Sequence, residues 1–168
     1  MARAEELGAK QAVEFLKEID AINLRARQRI IELVRKDLSD NLQGKKVAIL
    51  GAAFKPDSDD VRDSPALDIA VQIQAAGAIV TVHDPKAIAN AQKRFPVLNF
   101  STEINDTLKD AEIVLHLTEW KIYRDIDPVK VKSLVKNAIM IDGRNALDRQ
   151  LWRSAGWKFR ALGRSNNE

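Results

Sequence analysis

The run Lys46-Val47-Ala48-Ile49-Leu50-Gly51-Ala52-Ala53-Phe54-Lys55-Pro56 continues through Asp57-Ser58-Asp59-Asp60-Val61-Arg62-Asp63-Ser64-Pro65. Its apolar opening is short and bounded by polar residues and Gly51, the pattern of a buried strand rather than a helix. Gly51 supplies the turn. Ser64 followed by Pro65 marks a helix start, since serine accepts from the first free N–H groups and proline has no N–H to leave unpaired there. Strand, glycine, long polar loop and helix form the layout of a phosphate or nucleotide site, because doubly wound sheets hold ligands outside the carboxyl ends of their strands. The dinucleotide fingerprint is incomplete, however. Ala52, Ala53 and Phe54 follow Gly51, so no second glycine lets the backbone press against a pyrophosphate. Lys55 and Arg62 are the cationic candidates of this loop.

Downstream, strands and helices alternate. Strands are expected at 79–83, near 98–100, and at 112–117, 138–141 and 157–161, with helices at 66–77, 87–94, 102–108, 128–135 and 148–155. This is an α/β chain with a Rossmann-like parallel sheet and helices on both faces, since strands joined by helical crossovers run parallel. Asp84, before Pro85 at the end of the second strand, reads equally as a ribose-binding acid or as a turn or cap residue. Thr118-Glu119-Trp120 follows the 112–117 strand to the ligand edge, and its tryptophan reads as a packing anchor before a stacking platform. Asp142-Gly143-Arg144-Asn145 reaches the same edge from the next strand.

Upstream, Val13, Phe15, Leu16, Ile19, Ile22, Leu24, Ile30, Ile31, Val34 and Leu38 recur at helical spacing without an internal Gly or Pro. One long helix is expected over 11–38, or two nearly continuous ones. It reads either as a core helix or as one that also serves an interface or joins two domains, and its length favours the second. The expected division is a helical segment over 1–42 and the sheet domain over 43–168. Ala2 to Gly8 looks like the tail of a helix closed by glycine, which suggests a piece of a longer protein, and residues 163–168 look frayed.

The chain has 168 residues, 45% hydrophobic and 30% charged, enough for one well-packed domain and an appendage. Cysteine is absent, which excludes disulfides, thiolate metal sites and a cysteine nucleophile within these residues. The two histidines lie far apart, so no metal is expected. The net charge of +3 comes from interspersed acids and bases, a mild bias toward anionic ligands and no nucleic-acid signature. No signal-peptide pattern or membrane-length apolar run is read, giving a cytoplasmic expectation. Lys55, Arg62 and Arg144 at strand ends suit a diphosphate, arginine as a planar fork and lysine as a mobile point charge. No general base stands beside a nucleophile, so the residues by themselves indicate an anion-binding site without catalytic groups.

Three segments also carry a resemblance. Gly51 to Pro56 with Asp59-Asp60-Val61-Arg62 and Ser64-Pro65, then Thr118-Glu119-Trp120, then Asp142-Gly143-Arg144-Asn145, resemble in order and spacing the motifs of the nucleotide-sugar dehydrogenases, the UDP-glucose/GDP-mannose dehydrogenase family. The resemblance covers essentially the whole chain. It implies an enzyme that oxidises the sugar C6 alcohol to a carboxylate in two NAD-dependent steps through a cysteine adduct. It implies too that the long helix supports a homodimer and that the sheet domain binds UDP-glucose or UDP. By motif match, Phe54, Lys55 and Arg144 are substrate-binding residues, and Arg62 points across the cleft toward an NAD held mainly by another domain. The glycine-rich dinucleotide turn and the catalytic cysteine of the family are missing from these residues, so the chain alone is expected to be inactive. A stand-alone nucleotide-binding or regulatory module, or a relative acting on another UDP-sugar or on GDP-mannose, are the competing expectations.

Overall fold

The computed structural model describes residues 10–163, with side chains from residue 14 onward. The expected helix tail at 2–8 and the chain end at 164–168 lie outside the described residues. Six strands form one parallel sheet: β1 (Lys46–Leu50), β2 (Ile79–His83), β3 (Asn99–Ser101), β4 (Ile113–His116), β5 (Ile139–Asp142) and β6 (Lys158–Ala161). Their order is β3-β2-β1-β4-β5-β6. The first crossovers run outward on one side of β1 and the later ones on the other, so with uniform handedness their helices cover opposite faces. The reversal of strand order falls between β1 and β4, where Leu50 lies level with His83 on one side and His116 on the other. The expected α/β fold with a parallel Rossmann-like sheet is therefore the observed one.

Both faces of the central strands are covered, so Val47 to Leu50 and Ile113 to His116 are buried throughout. The helix α1 (Lys10–Asp37) precedes the sheet, and α2 (Pro65–Ala75) follows β1. At the start of α2, Ser64 accepts a hydrogen bond from the Leu67 N–H at 3.4 Å, and Pro65 occupies the first turn. Between β2 and β4 lie α3 (Ile88–Arg94) and α4 (Ile104–Leu108), the latter shorter than the 102–108 expected. The single-turn helices α5 (Lys121–Arg124) and α6 (Pro128–Val131) follow β4; the 128–135 helix is in fact α6 continued by a 3-10 turn at Lys132–Leu134. Helix α7 (Arg149–Ser154) leads into β6.

The long helix has two characters. Its last turns enter the core, with Ile30, Ile31 and Val34 buried and Arg27 and Gln28 bonded to Asp68 and Gln72 of α2. The end is pinned to β6, where the buried Asp37 carboxylate receives Arg160 at 2.7 and 2.8 Å and Lys158 at 2.8 Å. Burial pushes the Asp37 carboxyl up, but the bonds to Arg160 and Lys158 outweigh it and hold it below its ordinary value. Further toward the amino terminus, Phe15, Leu16, Ile19, Ile22 and Leu24 are exposed, by 66% at Phe15. The apolar stripe thus continues past the surface its own domain covers. Among the described residues no helix is long and apolar enough to cross a membrane.

Candidate functional site

The loop after β1 is held from within. Asp84, 2% exposed, accepts from the Ala52 and Ala53 N–H groups at 2.8 and 2.9 Å and from the Trp120 indole at 3.1 Å, all through Oδ2. Its Oδ1 accepts from the N–H groups of Lys86 and Ala87, both at 2.9 Å. The backbone donors that face a pyrophosphate in a dinucleotide fold are therefore already satisfied by an internal carboxylate. This accounts physically for the absent second glycine: no ligand phosphate needs to approach there. Of the two readings of Asp84, the turn residue is the observed one, and Trp120, 5% exposed, is a packing anchor.

Gly51 has φ +112°, and its Cα lies so near the 118 backbone that a Cβ would meet Thr118 N at 2.6 Å. Thr118 Oγ1 donates to Ala53 O at 2.8 Å, and Ser64 Oγ donates to Ala52 O at 2.6 Å. The loop beyond closes through Phe54 N–H to Asp60 O at 2.9 Å. Phe54 and Lys55 are thereby carried out over the edge of the sheet, Phe54 half-exposed.

A second buried acid organises the loop after β5. Asp142 Oδ1 accepts from His116 Nδ1 at 2.8 Å and from Arg144 N–H at 2.9 Å, while Oδ2 accepts from Leu147 N–H at 2.9 Å. Burial raises the Asp142 carboxyl, but His116 and these backbone donors together bring it below the ordinary value, so it is ionised. The Arg144 side chain meets Glu119 through Nε at 2.5 Å and Nη2 at 3.0 Å. That pair holds the Glu119 carboxyl low and raises the guanidinium.

Phe54, Lys55, Gly143 and Arg144 line one cavity of about 270 Å³, which α1 closes with Asn23, Arg27 and Ile30 and the first turn of α2 with Pro65 and Ala66. Lys55 makes no ion pair with a described residue. Arg27 donates through Nη1 to Asp68 at 3.1 Å, and its buried Nε has no partner among the described residues. Three cations and a helix amino terminus around an apolar floor favour an anionic ligand with a flat or aliphatic part. Sequence reasoning missed Arg27, because nothing in the local pattern of α1 shows which helical face meets a loop dozens of residues away.

Arg62 lies elsewhere. It is bonded to Asp60 at 2.8 Å through Nη2, its side chain is 78% exposed, and it lines a separate cleft with Asp59, Val61 and Asn90. Asp60, held down to about 2 by the Arg62 bonds, stays ionised, so Arg62 offers an outward cation that is already half-neutralised. The remaining polar cluster is structural. Tyr123 donates to His83 O at 2.9 Å and its hydroxyl lies 2.8 Å from His83 Nδ1. Burial pushes the Tyr123 phenol up and the His83 imidazole down, which favours the neutral form of each.

An open parallel sheet in this order, with cations gathered where the strand order reverses, defines a nucleotide-binding α/β domain. Residues 48–149 match the UDP-glucose/GDP-mannose dehydrogenase family, UDP binding domain, and the chain belongs to that family. It is 34% identical over 159 residues to the UDP-glucose 6-dehydrogenase TuaD of Bacillus subtilis, covering 93% of this chain and 34% of the relative. The solved structure of a UDP-glucose dehydrogenase from Pyrobaculum islandicum superimposes with a TM-score of 0.75 at 28% identity, covering 94% of this chain and 33% of that one. An NDP-N-acetyl-D-galactosaminuronic acid dehydrogenase from Methanosarcina mazei gives 0.71 at 27% identity, with 83% and 29% covered. The chain thus spans about a third of the length of these proteins.

Proposed function

We propose that this chain is the carboxyl-terminal part of a UDP-glucose 6-dehydrogenase and binds the UDP-sugar for NAD-dependent oxidation of UDP-glucose to UDP-glucuronate. The observation that carries the reading is the cavity at the strand reversal that joins Phe54, Lys55 and Arg144 in a chain of this family. In this assignment Lys55 and Arg144 take the diphosphate and Phe54 packs on the ligand's apolar surface. NAD supplies hydride acceptance when bound. Asp84 fills the phosphate position after β1, so this domain fits a peripheral contact to the dinucleotide, made by Arg62, rather than its main site. The cysteine adduct of the family reaction has no counterpart among these residues, so the chain alone turns over no UDP-glucose. In the same proposal the protein acts in the cytoplasm, and residues 1–42 form a segment apart from the sheet domain, whose helix α1 joins two subunits. The alternative of another sugar substrate is favoured by the likeness to the Methanosarcina mazei enzyme.

Titration of the chain with UDP-glucose by NMR or calorimetry tests the site. Binding in the millimolar range is expected, about −4 kcal/mol. Arg144→Ala removes a charge-assisted contact and should cost roughly 1.5 to 3 kcal/mol, beyond detection from that start. Lys121, exposed and paired with Asp125, is the control, and Lys121→Ala should bind as the parent does. Equal binding by Arg144→Ala sinks the assignment. Tighter binding of GDP-mannose than of UDP-glucose would move the substrate to a sister reaction.

The exposed face of α1 carries the dimer proposal. Phe15, Ile19 and Ile22 lie on turns that their own domain leaves uncovered, and a two-fold pairing would bury them. Sedimentation equilibrium should give a dimer, and Ile22→Glu with Phe15→Glu should give a monomer of unchanged fold. A parent that stays monomeric at high concentration counts against it.

A further inference from the structure

The geometry points to Glu119 as a positioning residue: we propose that it holds one edge of the Arg144 guanidinium so that the other edge is presented to a diphosphate in the cavity. This rests on the ligand reading above. Glu119 engages Nε and Nη2, the side edge of the fork, at 2.5 and 3.0 Å. That leaves both Nη1 hydrogens and the outer Nη2 hydrogen, the end edge that suits two phosphate oxygens. No other side chain among the described residues bonds to the Arg144 guanidinium, and Arg144 lines the cavity.

Rigidity favours positioning over gating. Glu119 stands between Thr118 and Trp120, both buried and each bonded to the opposite loop, Thr118 to Ala53 O and Trp120 to Asp84. The backbone that carries its carboxylate is therefore held on both sides. The Arg144 backbone is held as well, because its N–H bonds to Asp142, which His116 holds in turn. A gate that released Arg144 on ligand binding would need one of these ends to move. Ligand and carboxylate use different edges of one planar group, so nothing has to be displaced. With its carboxyl held low by Arg144, Glu119 stays charged through the neutral range and the clamp is always set. A flexible arginine loses several rotamers when it captures a phosphate; one already clamped loses fewer.

The test exploits a conflict of signs. Removing a carboxylate near an anion site makes the site more positive, which by charge alone should strengthen binding about twofold across a water-exposed cavity. Loss of positioning should weaken it. UDP is titrated by 15N NMR into the 168-residue chain and into Glu119→Gln, Arg144→Lys and the double variant. Glu119→Gln should bind UDP about fivefold more weakly than the parent. In the Arg144→Lys background there is no fork to orient, so the same change should leave binding equal or slightly tighter. The Arg144 Nε–Hε signal should be resolved in the free parent, persist when UDP is saturating, and be lost in Glu119→Gln. A structural role without positioning would shift thermal midpoints while leaving the sign the same in both backgrounds, and that outcome overturns the proposal. So does tighter binding by Glu119→Gln alone, or loss of the Nε–Hε signal on adding UDP, either of which marks a competitor. If the parent binds UDP and Glu119→Gln binds equally, the proposal falls and the ligand reading stands. If the parent shows no response to UDP, both fall.

Discussion

Asp84→Asn is expected to lower the stability of the domain by about 2 to 4 kcal/mol, with the volume of the side chain unchanged. Asp84 serves five donors from a buried position, three through Oδ2 and two through Oδ1. An asparagine keeps one acceptor and turns an amide toward the remaining donors, whichever way it is flipped. The less damaging orientation faces the amide to Lys86 and Ala87, since the Lys86 N–H is only partly buried and water can reach it. Even then the Ala87 N–H is buried without an acceptor, and the charge that strengthened the bonds to Ala52 and Ala53 is gone. Against a total stability of about 5 to 15 kcal/mol, that is a large fraction. Urea denaturation should show a lower midpoint with an unchanged slope, because the surface exposed on unfolding stays the same. The exposed Asp125→Asn serves as the control and should move stability by no more than about 0.5 kcal/mol. A midpoint for Asp84→Asn matching that control would mean that the loop after β1 is held by something else.

The elements legible in the sequence are those whose ends carry their own chemistry. Lys46–Leu50 is bounded by Gly51, and Ile79–His83 by Gly77 before it and by Asp84-Pro85 after it, so both strands fall at the residues expected. Lys121–Arg124 is too short to show a 3.6-residue period, and its start at Trp120 carries no side-chain cap, so nothing announces it. In the site, Lys55 and Arg144 were legible because strand-end loops converge wherever a parallel sheet reverses order. Arg62 sits in a separate cleft because Asp60, two residues away, captures it locally. Such a pair needs no fold to form it, and in hindsight the Asp-x-Arg spacing was readable. Glu119 was not readable as the partner of Arg144. Their contact spans 25 positions and exists only because β4 and β5 are neighbours. The part played by Asp84 was half legible: the turn before α3 follows from Asp-Pro, but its reach to Ala52 depends on β2 lying beside β1.

Gly51→Ala should be at least as damaging, at about 2 to 6 kcal/mol, and trimming the neighbour should not rescue it. Two costs combine. At φ +112° an L side chain is strained, which costs on the order of 1 to 3 kcal/mol. The new methyl would also lie 2.5 Å from Thr118 Cβ, 2.5 Å from Thr118 Oγ1 and 2.6 Å from Thr118 N. Overpacking of this kind costs roughly another 1 to 3 kcal/mol where the surroundings cannot yield. They cannot yield easily here, because the 118 backbone continues β4, and Leu117 N–H bonds to Leu50 O at 2.9 Å. Thr118→Gly removes the side-chain clash but leaves the backbone nitrogen in place and forfeits the bond to Ala53 O. The double variant should therefore be no more stable than Gly51→Ala alone, as read from thermal midpoints and urea curves. A double variant that recovers more than about 1 kcal/mol would show that the side chain, and not the backbone, requires glycine at this position. Any displacement of residue 118 also carries Glu119 with it. If the single variant folds at low temperature, its Arg144 side-chain signal should broaden, because the carboxylate that holds the fork has moved.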